Sequence, residues 1–212
     1  MPAESGNSLP AILGTLTAHR VEFIVAGGVS AALQGAPLTT FDLGVVHSRS
    51  PENLQRLPAA LGELDAHYRA QPERRLAPAK SHLETGGHRL SMTRNGPLDP
   101  LGEIGNGHGY DDLLHDALDF ELAPGVRIHV LGLRKLIEVK RETAGEKDLA
   151  LLPVLERTLE ESRRAPALLS RYSQVRVYNP TVARGRKRKS WLQAVDGAVA
   201  LAGRRERGIR VQ

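Results

Sequence analysis

The sequence contains no cysteine, so thiol nucleophiles, disulfide staples and thiolate-ligated metals are excluded, and any metal site must use oxygen or nitrogen donors. No stretch approaches the roughly eighteen continuous apolar residues of a membrane span, and the opening MPAESGNSLP is acidic and polar where a secretory leader would be basic and then apolar. A soluble cytoplasmic protein with no membrane partner is therefore expected. His82, His88, His108 and His115 show none of the HxH or HExxH spacing that sets two imidazoles on one ion, which argues against zinc. Ser30 has no histidine partner in a nucleophile-elbow context, and no G-x-G-x-x-G run announces a dinucleotide site. Aromatic residues are few, with four Tyr, three Phe and one Trp in 212 residues. What is present, 41% hydrophobic and 25% charged residues, is enough for a packed core of one or two domains and excludes wholesale disorder.

The net charge of +5 is unevenly spread. From residue 163 to 212 there are 13 Lys or Arg against two acids, Asp196 and Glu206, while residues 1–162 carry 16 bases against 22 acids. This divides the chain into a folded region, 8–162, and a basic C-terminal segment, 163–212, expected to be poorly ordered apart from a helix near Trp191–Ala202. Within that segment Arg184, Arg186, Lys187, Arg188 and Lys189 form a run that could neutralise nucleic-acid phosphates by releasing counterions. A solvated tail that touches nothing is the alternative.

The first 162 residues alternate strand and helix signals, without repeats. A short helix around Leu9–His19 precedes an apolar, β-branched run at Val21–Ala26 that stops at Gly27-Gly28. A brief apolar segment, Val29–Gln34, is broken by Gly35-Ala36-Pro37, and Phe41–Val46 reads as a second strand. Ser50-Pro51-Glu52 offers an N-cap, a first-turn proline and an acid, predicting a helix over Pro51–Leu64. His88–Arg94 and Leu98–Ile104 read as a hairpin around Asn95-Gly96-Pro97, and Phe120–Leu122 pairs with Val126–Leu131. Leucine, isoleucine and valine at helical spacing predict helices over Leu133–Glu142 and Lys147–Glu161. The expected fold class is α+β, a mixed sheet flanked by helices.

The run FIVAGGVSAALQGAPLTTFDLGVV resembles the opening motif of the nucleotidyltransferase superfamily, the polymerase-β-like fold, and especially minimal or toxin-type bacterial nucleotidyltransferases. In that family a strand ends in Gly-Gly or Gly-Ser at a helix start, a second strand carries Asp-x-Asp, and a neighbouring strand adds a third acid. The resemblance covers about residues 8–162. It implies that Gly27, Gly28 and Ser30 bind nucleotide, that Asp42 and Asp99 are catalytic and hold Mg²⁺, and that Lys140, Lys147 and Asp148 match the family's later lysine and Lys-Asp positions, Lys140 as catalytic and the other two as nucleotide-binding.

Such a pattern suits phosphoryl transfer, which needs alignment and charge neutralisation more than covalent help. Glycines at a helix start let backbone amides approach triphosphate oxygens, and acids at i and i+2 on a strand face one ion together. Gly44 stands where the second Asp of Asp-x-Asp would be, so the implied metal binding is weak or lost. Asp42 on an apolar strand would be costly to bury unpaired, which favours a ligand or a paired group. Pro100 beside Asp99 cannot donate to a ladder and is expected at an edge or a bulge. Two functions remain open. One is transfer of NMP from an NTP to a hydroxyl of a nucleic acid such as tRNA, or of a protein. The other is an inactive module of the same fold binding nucleotide, nucleic acid or a protein partner.

Overall fold

The computed structural model describes residues 8–123 and 126–164. The predicted tail helix and the Arg184–Lys189 run lie outside them.

Seven strands form one mixed sheet in the order β3-β4-β5-β2-β1-β7-β6. Its centre is β1 (Phe23–Ala26) and β2 (Leu43–His47), antiparallel with Ala26 opposite Gly44. On one side β2 runs parallel to β5 (Gly96–Leu101), followed outward by β4 (Ser91–Thr93) and the two-residue β3 (His67–Tyr68). On the other side β1 runs parallel to β7 (Val126–Leu131), which pairs antiparallel with β6 (Ala117–Ala123) at the far edge.

Side chains alternate across a strand, and here the alternation separates two buried clusters. Phe23 and Val25 join Leu43, Val45, Leu98 and Val130 under α1 (Leu9–Ala18) and α3 (Asn53–Glu63), with Leu83 of α4 (Lys80–Leu83). Ile24 and Ala26 face the opposite way, with Val46 and Leu131, against α2 (Gly27–Leu33), α5 (Tyr110–Leu113), α6 (Leu133–Thr143) and α7 (Glu146–Arg164). The expected class, a mixed sheet flanked by helices, is the observed one. Helix α7 continues through Ser162 to Arg164.

Two local expectations need correction. The second strand begins at Leu43, leaving Phe41 and Asp42 in the preceding segment. The ladder cannot extend to Asp42, because beyond Ala26 the β1 chain has already turned into α2, and on the other side the residue before Leu98 is Pro97. Pro100 lies on β5, an interior strand. It is tolerated because its carbonyl accepts the Arg89 amide at 3.0 Å on the β4 side. Its missing N–H faces that same side, past Ser91 where β4 has not yet begun.

Candidate functional site

Because β1 and β2 are antiparallel, the end of β1 and the start of β2 meet at one corner of the sheet. This brings the Gly27-Gly28 turn beside Asp42 and Gly44, and the parallel β2–β5 register sets Asp99 directly next to Gly44. Gly44 and Asp99 belong to the α2/α6 face of the sheet, since their neighbours Leu43 and Leu98 lie in the α1/α3 cluster. The sequence-predicted Gly27, Gly28, Asp42 and Asp99 thus converge.

The glycines serve geometry of their own. Gly27 has φ +69°, a left-handed conformation that opens α2 at no cost only for glycine. A β-carbon on Gly28 would lie 2.7 Å from both Cβ and Oγ1 of Thr40, so this position is held to glycine by the loop crossing over it. The same Thr40 hydroxyl donates to Asp42 Oδ1 at 2.9 Å. Asp42 is exposed, so the burial argument for a ligand role does not apply to it. Its orientation rests on Thr40.

Asp99 is the opposite case, only 4% exposed. Both of its oxygens accept from Nη2 of Arg69, with 2.6 Å to Oδ2, and Oδ1 also accepts the Ser91 amide at 3.2 Å. Burial raises the Asp99 carboxyl above its ordinary range; the Arg69 charge, the Ser91 amide and the Arg69 hydrogen bonds pull it down without overcoming burial, and the nearby charge of Asp42 adds to the rise. Arg69 was not among the residues singled out from sequence. It follows a two-residue strand with no periodic signal and lies thirty positions from its partner, so only pairing of β3, β4 and β5 reveals it.

These contacts bear on the Mg²⁺ implied by the resemblance. Asp99 already has a cation on both oxygens, Asp42 points into solvent on Thr40, and Gly44 supplies no donor. Among the described residues no three His, Asp or Glu side chains cluster as a metal site. The donor set fits a protein-borne guanidinium and does not fit a preformed divalent-cation site. A side chain at Gly44 would nevertheless find room, meeting Leu101 Cδ1 at 3.5 Å and the Ala26 carbonyl at 3.7 Å.

The other predicted residues are placed elsewhere or otherwise engaged. Ser30 is fully buried, its hydroxyl donating to the Leu131 carbonyl at 2.5 Å, which ties α2 to the end of β7. Lys140 of α6 reaches Asp148 of α7 at 2.5 Å, and Thr143 donates to the other Asp148 oxygen at 2.9 Å. Burial alone would raise Asp148, but the Lys140 and Thr143 hydrogen bonds and the Lys140 charge outweigh it and hold the carboxyl below its ordinary value. Lys147 is exposed on the first turn of α7. A groove of about 350 Å³ between α6 and α7 is lined by Arg134, Glu138, Arg141, Glu156, Glu160 and Arg163 among others, none of them a residue of the sheet corner.

No helix among the described residues is long and apolar enough to cross a membrane. No family model matches the sequence, and no curated protein matches it. Among solved structures the chain is similar to a Thermotoga maritima protein described as a "putative nucleotidyltransferase", with 17% identity and a TM-score of 0.44, covering 72% of this chain and 91% of that one.

Proposed function

We propose that this protein is a nucleotidyltransferase-like module that binds a nucleoside triphosphate at the sheet corner, with Mg²⁺ binding weak or lost and NMP transfer impaired. One observation carries the reading. The glycine turn that follows β1, Asp42 just before β2, Gly44 on β2 and Asp99 on the neighbouring β5 lie together, with Asp99 covered by Arg69, and this grouping supports the reading. Gly27, Gly28 and the neighbouring α2 amides are the proposed phosphate contacts, and Asp42 orients what binds there. Phe41, 72% exposed and adjacent to Asp42, offers a ring to a base. Lys140 and Asp148 act as the brace that joins α6 to α7.

The test is to incubate the purified full chain with each labelled NTP, Mg²⁺ or Mn²⁺, and total tRNA or cell extract, measuring binding and label transfer separately. Saturable binding with little or no transfer is the expected result. Efficient transfer to RNA or protein would replace this reading with that of an active nucleotidyltransferase. The basic segment 163–212 is proposed to bring nucleic acid to the module through phosphate contacts and without sequence preference. Replacing Arg186, Lys187, Arg188 and Lys189 together by Ser should lower RNA affinity and flatten its salt dependence. Unchanged affinity at two salt concentrations would remove this run from the mechanism.

A further inference from the structure

In a metal-dependent phosphate site the divalent cation does two things: it lets carboxylates stand close to polyphosphate, and it offers positive charge to the phosphate oxygens. In this molecule Asp99 is closed off by Arg69. The backbone of Arg69 is pinned by its own amide, which donates to the Leu90 carbonyl at 3.0 Å just before β4. Its guanidinium then straddles the carboxylate with one nitrogen, Nη2, rather than with two nitrogens side by side as in a fork. That arrangement leaves the other donors unspent. Nε is buried without a partner among the described residues. Nη1 also has none there and, unlike Nε, is not sealed from solvent. The side chain as a whole is 30% exposed above a carboxylate that is 6% exposed.

We infer that Arg69 is the resident cation of this corner, so that a nucleoside polyphosphate binds here without a divalent ion, its phosphate accepting from the free Arg69 donors while Nη2 keeps Asp99 neutralised. A guanidinium suits the task because it cannot lose its proton at any physiological pH and has donors on more than one edge. The carboxylate orients it, and the buried Nε marks a seat whose donors are not yet all satisfied. This inference rests on the reading of the corner as a nucleotide site and specifies how that site meets phosphate.

The experiment is titration calorimetry of the full chain with ATP and with GTP, in excess EDTA and again in Mg²⁺, using wild type, Arg69→Gln and Asp99→Asn, each checked for folding by circular dichroism. Affinity of at least one nucleotide in EDTA within about threefold of that in Mg²⁺ is expected. Arg69→Gln should lower the EDTA affinity about tenfold, the loss of one charge-assisted hydrogen bond. Asp99→Asn, which leaves the guanidinium but removes the competing carboxylate charge, should raise it, and this variant decides the matter should Arg69→Gln fail to fold. Binding that needs Mg²⁺, or EDTA affinity indifferent to both substitutions, would overturn the role of Arg69 while leaving a nucleotide site. No binding under either condition would overturn the nucleotide reading itself.

Discussion

The sheet corner and the α6–α7 junction each hold a carboxylate against a cation, yet they behave oppositely. At the corner, Asp99 meets Arg69 below the surface, and the cost of removing the carboxylate from water exceeds what the guanidinium returns, so the carboxyl is raised. At the junction, Asp148 meets Lys140 with 32% of its side chain still exposed, and the same kind of pairing wins, so the carboxyl is lowered. The contacts are of comparable length. What differs is how much water each carboxylate has lost, which is why an ion pair by itself does not say whether a charge is stabilised.

Removing each carboxylate should separate the two regions most strongly. Asp99→Ala leaves the Arg69 guanidinium without its counter-charge beside a buried strand and is expected to cost about 3 kcal/mol. Asp148→Ala, in a wetter setting, should cost about 1 kcal/mol or less. Urea unfolding of both variants checks this, and equal losses would end the distinction.

Glycines at the two places offer a second contrast. Gly28→Ala drives a β-carbon into Thr40 and should destabilise by about 2 kcal/mol. Gly145→Ala meets only Asp148 Oδ2 at 3.7 Å and should be neutral or stabilising by about 0.5 kcal/mol. Thermal unfolding of the pair is sufficient to compare them.

Acid titration sharpens the same comparison at smaller amplitude. The folded Asp148 carboxyl lies below its ordinary value, so its contribution is complete above the ordinary carboxylate range and is lost as pH falls through the depressed folded value. The folded Asp99 carboxyl lies above its ordinary value, so stability declines as pH rises from the ordinary value to the raised one and is flat beyond. Carboxyl resonances followed by NMR should therefore show Asp99 taking up its proton at higher pH than Asp148, and the reverse order would refute the burial argument.

The smallest structural effect is expected at Gly44, where the corner has room that the Gly28 turn lacks. Gly44→Asp should keep the fold within about 1 kcal/mol. With a carboxylate at position 44 beside Asp99 and next to the nearby Asp42, Mn²⁺ affinity should rise by calorimetry. An unchanged affinity in a folded variant would mean that the new side chain does not share the face of Asp99.

Much of the architecture was legible along the chain. The helices at α1, α6 and α7 carried apolar spacing and clear punctuation, and the β6–β7 pair was marked by the Ala-Pro-Gly sequence between its two apolar runs. The glycine corner was legible because strand, Gly-Gly, helix, strand is a local order. The start of β2 was misjudged by two residues, because whether Phe41 and Asp42 belong to a strand depends on neighbours that the sequence does not display: β1 has ended at Ala26, and Pro97 cannot donate. The exposed Asp42 therefore looked buried. Ser30 resembled a phosphate-turn hydroxyl until the end of β7 was seen to take it.

Taken by itself, the sequence determined the class of fold, the positions where glycine interrupts it and the absence of thiol chemistry, since composition and local periodicity are properties of neighbours along the chain. The tertiary structure alone decided that Arg69 covers Asp99, that Thr40 lies over Gly28, and that Asp99 stands beside Gly44. Those relations join residues far apart in sequence through sheet register and loop crossing, and the energy of the central ion pair depends on desolvation, which exists only once the chain has closed around it.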